Sequence, residues 1–426
     1  MKNQLKQIIY DMRTQPVIAW VTILGTAMSI FLILVMLTIQ LLYIMPFAPE
    51  NHRARMLYGK YFHFESTAEG NHSSGSGGLS LLRARQLYKD LEGVEDVSFM
   101  QSDPERMDAK GPVGETFSVY NRATDDAFWR IYDFDLLEGR YYTPEEIEAG
   151  TPVAVVSEST ARRLFGSEPA VGGRMQLNHN YYDVIGVVGD VSRLGTWSFG
   201  DVYTPIDATI EENGSVWDVN MGDISAAMLV REGVDFESIR DRVKARYALI
   251  DTELASENRR TLYHGAPFDQ ETITSGLQGS NSTPDLSDKH KMDALIYIIL
   301  LLVPAINLSS MLHSRLRRRI SDIGVRRAFG CTRRRIIRDI IVENFLITLA
   351  GGLIGLVAGV LFSMFWDGMY TTEYNESIHP TLSMLLNWRI ILGAFGACFV
   401  LNIISASMPA WQAARVNPVT AINASK

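Results

Sequence analysis

The sequence predicts an α-helical membrane domain with four transmembrane helices plus a mixed α/β extracytoplasmic domain. Three observations carry this reading. Four uncharged apolar stretches are each long enough to cross a bilayer, which takes about 20 residues. Basic residues gather on one side of those stretches. A long polar segment without cysteine, Pro46 to Lys289, separates the first stretch from the second.

The averages over the chain agree. Of the 426 residues, 47% are hydrophobic, and the mean hydropathy is +0.03. That is high for a soluble domain and low for a bundle of spans alone. The net charge of −8 argues against a nucleic-acid binder. The two cysteines, Cys331 and Cys398, both lie outside the polar segment. That segment therefore needs its own hydrophobic core rather than disulfides.

The elements follow in chain order. Residues 1–15 read as an amphipathic interfacial helix. Leu5, Ile8, Ile9 and Met12 fall at i, i+3, i+4 and i+7, with Lys2, Lys6 and Arg13 among the polar positions. Pro16 turns the chain into the bilayer. Residues 16–45 hold the first span. Its uncharged run, Val17 to Ile44, far exceeds a signal-peptide core of about 7–15 residues and reads as a retained anchor. The other spans occupy 290–313, 336–366 and 389–410, around the uncharged runs Ala294–Leu312, Phe345–Phe365 and Ile390–Ala410.

Charge sets the orientation. Arg315 to Arg338 contains ten arginines and a single acid, Asp322. Arg415 and Lys426 lie in the tail, residues 411–426. The short loop 367–388 carries Asp367, Glu373 and Glu376 and no lysine or arginine. By the positive-inside rule both termini and the arginine-rich segment are cytoplasmic, and the polar segment and short loop are outside.

The polar segment, 46–289, reads as two α/β parts, about 50–112 and 206–270, around a β-rich insert at about 113–205. Tyr61 to Glu65 and Val94 to Met100 have strand patterns. Ser80 can cap a helix that buries Ala84, Leu87 and Tyr88, with Gly93 ending it. Ser225 to Val230 and Phe236 to Tyr247 repeat the strand-then-helix pattern. In the insert, Phe117–Tyr120, Pro152–Val156 and Tyr182–Val188 are strand-like, and Ala161–Phe165 is a short helix stopped by Gly166. The run Asn71 to Gly78 reads as a flexible loop.

Nothing in the polar segment has catalytic spacing. His52, His63, His72, His179 and His264 form no metal motif, and no GxSxG occurs. There is no GxxxxGK[ST]; the Gly-Lys pair Gly59-Lys60 is followed by Tyr61. The reading is a chain without catalytic, metal or cofactor site of its own.

The most specific residues follow the second span. Arg317-Arg-Arg-Ile-Ser-Asp-Ile-Gly-Val-Arg-Arg-Ala-Phe-Gly330 resembles the signature of the MacB–FtsX family of ABC permeases, with Asp322 where the family usually has glutamate. Pro409-Ala-Trp-Gln-Ala-Ala-Arg-Val-Asn-Pro-Val-Thr-Ala-Ile422 resembles the family's terminal motif. Phe134 to Arg140, Val153 to Gly166 and Tyr182 to Gly186 resemble its periplasmic core domain. The resemblance covers nearly the whole chain.

The resemblance implies a permease subunit of the bacterial inner membrane, working as a dimer with a second permease copy, identical or paralogous. It implies a coupling helix at 314–335 that docks on a separate cytoplasmic ABC ATPase dimer, where MgATP binds. The implied coupling residues are Arg319, Ile320, Asp322, Ile323, Gly324, Arg326, Arg327, Ala328, Phe329 and Gly330. Export would add a periplasmic adaptor and an outer-membrane channel. The alternative is a non-transporting, FtsX-like mechanotransmitter that regulates a cell-wall hydrolase.

Two features stay open on the residues alone. Gly351, Gly352, Gly355 and Gly359 give the third span a small-residue face, for a sliding or dimer contact or for packing against the fourth span. Glu343 stands near the cytoplasmic edge of the third span, a functional group or a partner for nearby arginines.

Overall fold

The computed structural model describes residues 20–36 (apart from 22, 26, 29 and 30), 44–68, 74–112, 115–207, 219–275, 283–365 (apart from 319) and 388–415. The interfacial segment 1–15, nearly all of the loop 367–388 and the tail beyond 415 lie outside them. The chain divides into two units, one of residues 1–42 with 287–426 and one of residues 43–286. The first unit opens with helix α1, residues 20–36.

The second unit is mixed α/β. Its first part contains β1 (Met56–Gly59), β2 (Tyr61–Ser66), β3 (Ser74–Gly78), α2 (Leu81–Tyr88) and β4 (Val94–Gln101). Ser80 begins α2 as expected: its Oγ accepts the Arg83 amide at 3.1 Å. Ala84, Leu87 and Tyr88 are buried, but α2 stops at Tyr88 with Lys89 as its cap, ahead of Gly93 where it was expected to end; Gly93, with φ 91°, makes the turn into β4 instead.

The middle of the unit contains β5 (Glu105–Lys110), β6 (Phe117–Thr124), α3 (Phe128–Ile131), β7 (Leu136–Gly139), α4 (Pro144–Glu148), β8 (Val153–Ser157), α5 (Glu158–Phe165), β9 (Arg174–Leu177), β10 (Asn180–Val188) and β11 (Val202–Pro205). Six of these strands close on themselves. The order runs β11-β8-β10-β9-β5-β6, and β6 pairs back onto β11. Closure leaves no edge within the ring. Its core is aliphatic, with Val156, Leu164, Met175, Val184 and Val202 buried together. The ring takes in Glu105–Lys110, ahead of residue 113 where the insert was expected to begin. The reason is register: Met107 pairs with Val119 of β6 and Ala109 with Leu177 of β9.

The chain then returns through β12 (Ile224–Val230), α6 (Phe236–Leu254), β13 (Arg259–Thr261), β14 (Phe268–Asp269) and α7 (Gln270–Thr274). Strand β12 lies antiparallel between β4 and β1. Helix α6 buries Ile239, Val243, Tyr247, Ile250 and Leu254. Joining distant β1, β4 and β12 in one sheet explains why the two α/β parts are separated in sequence.

One expectation is corrected. Ser74–Gly78 is a strand, paired antiparallel with β2, whose other neighbour is β13. Ser and Gly signal a loop locally, but here another backbone approaches. A Cβ on Gly78 would stand 2.3 Å from the Gly222 carbonyl oxygen, so only glycine fits.

A buried charge network pins the segment that enters this unit. Glu50 and Arg53 are ion-paired at 2.7 Å with fully buried side chains. Glu50 Oε1 also accepts the amides of Trp197 and Ser198, at 3.0 and 2.8 Å, and the Ser198 hydroxyl at 2.8 Å. Arg53 donates to the carbonyls of Leu194 and Met45, at 2.8 and 3.0 Å. Trp197 stacks on Tyr58 at 4.4 Å. From the other side, buried Arg122 donates to the carbonyls of Phe199, Thr196 and Gln101 at 2.7, 2.9 and 3.0 Å. Burial lowers the Arg122 pKa, yet a guanidinium stays charged.

The first unit continues with α8 (Ser287–Arg318), α9 (Ile320–Ala328), α10 (Arg333–Phe365) and α11 (Trp388–Arg415). Among the described residues no helix is long and apolar enough to cross a membrane. Large apolar side chains are nevertheless exposed along them, among them Leu24, Met28, Ile298, Leu302, Ile306, Val357, Leu361 and Val400.

Two outcomes test this fold. Glu50→Ala leaves a buried guanidinium and the Trp197 and Ser198 amides unmatched, so the second unit should lose about 3–5 kcal/mol in chemical denaturation; a loss below about 1 kcal/mol contradicts the network. The second concerns Asp125, which accepts the Phe128 amide at the start of α3 at 3.1 Å and, both at 2.7 Å, Ser98 Oγ and the Phe99 amide. Burial outweighs these bonds and pushes its carboxyl up to about 7. Between about pH 4 and pH 7 the folded chain thus binds more protons than the unfolded one, and this contribution to stability falls as pH rises. Asp125→Asn should flatten that slope in melting curves; an unchanged slope contradicts the assignment.

Candidate functional site

The predicted coupling segment resolves into three pieces. Helix α8 runs through Leu316 to Arg318. Arg319 lies outside the described residues. The nine residues of α9 then form their own short helix.

Helix α9 ends on a signal the sequence carries. Gly330 has φ 90°. Its amide donates to the Arg327 carbonyl and the Cys331 amide to the Arg326 carbonyl, both at 3.0 Å. These are the two bonds of a Schellman motif with glycine at the left-handed position. Thr332 follows at once as the cap of α10, its Oγ1 accepting the Arg335 amide at 3.4 Å. The end of α9 and the start of α10 are thus set within a few residues of each other.

Packing fixes which side of α9 faces the bundle. Ile323, 8% exposed, clusters with Ile336 and Ile340 of α10 and with Ala406 and Ala410 of α11. Gly324 beside it is also buried. Ile323 and Gly324, both among the expected coupling residues, are thus the root of the helix within this chain. The small Ala406 and Ala410 let the isoleucine seat closely.

The opposite side is largely exposed. Val325, Arg326, Ala328, Phe329 and Gly330 are exposed, while Ile320 and Arg327 are half-buried. Phe329 is 89% exposed, an unusual position for a phenylalanine. Arg333, Arg334, Arg335 and Arg338 are exposed on the first turns of α10. The surface is thus an aromatic knob among guanidinium groups. Asp322, placed on α9 by the backbone, is the acid within that basic stretch. Sequence reasoning missed Val325, whose exposure follows from its position two residues beyond Ile323.

The glycine face of α10 has its neighbour within this chain. Gly351, Gly352, Gly355 and Gly359 are all buried. A Cβ on Gly359 would meet Leu34 of α1 at 2.7 Å, and Phe31 of α1 meets Phe362 edge-on at 5.1 Å. The face expected to serve a dimer contact or α11 therefore receives α1 at this end. Helix α11 meets α10 elsewhere, with Phe345 and Phe399 edge-on at 5.7 Å. Glu343 is half-buried on α10.

Comparison with known proteins places this geometry in context. Residues 19–246 match a family described as MacB-like periplasmic core domain, and residues 294–418 match one described as FtsX-like permease C-terminal. The uncharacterized ABC transporter permease YknZ of Bacillus subtilis is 23% identical over 341 residues, covering 78% of this chain and 76% of that protein. The macrolide export ATP-binding/permease protein MacB of Bdellovibrio bacteriovorus is 26% identical over 356 residues, covering 81% of this chain and 49% of that protein. The chain spans about half the length of the MacB relatives it matches. Among solved structures, the periplasmic region of MacB from Actinobacillus actinomycetemcomitans aligns with 52% of this chain and 94% of its own, with a TM-score of 0.34 at 15% identity.

The two sides of α9 separate in stability measurements. Ile323→Ala should destabilise the first unit by about 2–5 kcal/mol, as for other buried isoleucines. Phe329→Ala should change stability by less than about 0.5 kcal/mol. Equal losses in thermal unfolding would contradict the assignment of root and knob.

Proposed function

Because this chain belongs to the MacB–FtsX family of ABC transporter permeases, we propose that it converts ATP hydrolysis by a separate ABC ATPase into motion of its second unit, driving extrusion of a substrate on the far side of the inner membrane. Helices α1, α8, α10 and α11 are the four spans. Their uncharged sequence runs support this, and so do the apolar side chains they expose, which lipid would cover. The cytoplasmic side is that of the arginine-rich segment.

The observation that carries the proposal is the two-sided character of α9. A helix that only rested on anionic lipid would turn its apolar side to the bilayer. Here Ile323 is committed to α10 and α11, and what remains outward is Phe329 with Arg326. A knob set in basic residues suits a pocket on an acidic protein surface. Burying one phenylalanine there contributes roughly 1.5–3 kcal/mol, and desolvated arginines at such centres are common anchors.

The rigid seat of Ile323 gives the docking its mechanical use. A push on Phe329 moves α9 with the feet of α10 and α11 instead of bending a loose loop. The chain carries motion onward by its connectivity, α1 leading into Met45–Arg53 and Leu286 into α8. The work is then a rigid-body transition of the second unit, with nucleotide chemistry confined to the partner. A second permease copy completes the spans. The MacB relatives, named for macrolide export, favour extrusion through an adaptor and outer-membrane channel over hydrolase regulation.

The test is reconstitution of the full chain with its ABC ATPase. Arg326→Glu with Arg327→Glu, and separately Phe329→Ala, should weaken ATPase capture at least about tenfold and abolish ATP-dependent transport, with the permease still folded. Capture and transport equal to the parent chain would overturn the proposal.

A further inference from the structure

Helix α10 has two packed sides and one open face. On one side Ile336 and Ile340 meet Ile323 of α9 and Ala406 and Ala410 of α11. On another, Gly359 receives Leu34 of α1. By the helical period, Arg334, Arg335 and Arg338 fall opposite Ile336 and Ile340, and all three are exposed. Val342, Leu349 and Leu353 continue the line of Arg338 at successive steps of four, seven and four residues. Val342 is half-buried, and the two leucines are exposed.

Charge along α10 is divided in the same way. The acids Asp339 and Glu343 come three and seven residues after Ile336, on its side of the helix, and both are half-buried. Among the described residues neither Arg334 nor Arg335 has an ion pair, and Arg338 has Asp339 at 3.8 Å. The open face is therefore cationic at one end and apolar for the rest of its length.

Its dimensions suit one class of molecule. The eleven steps from Arg338 to Leu349 rise about 16 Å, close to half of an about 30 Å hydrocarbon core. One lipid chain of one leaflet spans that distance. The depth has a second marker. Trp411 adjoins the packed Ala410 and is exposed, which sets an indole near the height of Ile336 and Ile340, and indoles favour the headgroup layer.

We propose that this face binds an anionic phospholipid of the cytoplasmic leaflet, its phosphate on Arg335 and Arg338 with Arg334 at the rim, and an acyl chain along Val342, Leu349 and Leu353. Guanidinium groups present paired N–H donors to phosphate oxygens. A choline headgroup would bring a further cation against these arginines, so the site favours a headgroup of net negative charge. The site rests on the reading of α10 as a span, and it makes no use of Phe329.

The experiment is photolabelling of the full chain in phosphatidylcholine nanodiscs. The probes are phosphatidylglycerol and phosphatidylcholine that carry the same diazirine on an acyl chain. Phosphatidylglycerol should label Val342–Leu353 at least about tenfold more than phosphatidylcholine does. Arg335→Gln with Arg338→Gln should bring its labelling down to the phosphatidylcholine level, while Arg335→Lys with Arg338→Lys keeps most of it. The phosphatidylcholine signal, unchanged between variants, shows that each is folded and inserted. Equal labelling of α10 by the two probes would overturn this site and leave the span reading standing. Labelling of other helices with none on α10 would overturn both. A glutamine variant that keeps its phosphatidylglycerol labelling but loses ATPase capture would assign these arginines to the ATPase and overturn the proposal.

Discussion

Glu50 and Arg53 have no exposed side-chain surface, and buried charges are tolerated only where each is closely matched. That requirement organises the second unit. Meeting it takes one carboxylate, one guanidinium, two amides, a hydroxyl and two carbonyls, drawn from segments about 147 residues apart. The stretch between β10 and β11 has no regular structure, yet Leu194, Trp197 and Ser198 in it are buried. Its polar backbone is held by Glu50 and Arg53 on one side and Arg122 on the other, in place of strand partners. The segment that follows α1 in sequence is thereby tied to the strand ring. Such a tie makes the entry segment and the strand ring behave as one body.

The same economy governs α9. A nine-residue helix is too short to be stable alone, so its order must come from what it packs against. Ile323 supplies that packing from one side chain, and the Schellman turn at Gly330 together with the Thr332 cap sets where the helix stops. With its own stability settled against α10 and α11, α9 can leave Phe329 in water. An exposed aromatic ring on a rooted helix is already organised for binding, and little ordering entropy remains to be lost on docking.

Local signals were legible in the sequence and long-range ones were not. Ser80, Gly166 and Thr332 act on backbone groups within a few residues, so their roles could be read from type and position. The strands of the insert were legible from β-branched runs. Ser74–Gly78 was not, because its pairing depends on β2 and on the Gly222 backbone, neither of which leaves a mark on a Ser-Gly run. Glu50, Arg53 and Arg122 carry no local sign of their burial, since nothing near them in sequence announces partners so far away. Ile323 enters through the family resemblance as a coupling residue, and nothing local in the sequence names the body that covers it. The α10 glycines repeat the lesson: the spacing announced a close neighbour, and only the fold identified α1.

The most direct measurement on the central claim is hydrogen–deuterium exchange of the full chain in nanodiscs, with and without its nucleotide-bound ABC ATPase. Docking on α9 predicts slowed exchange over Val325–Cys331, with Ile336–Ile340 protected in both states because Ile323 already covers them. Unchanged exchange at Val325–Cys331 in a complex that still forms would contradict the account.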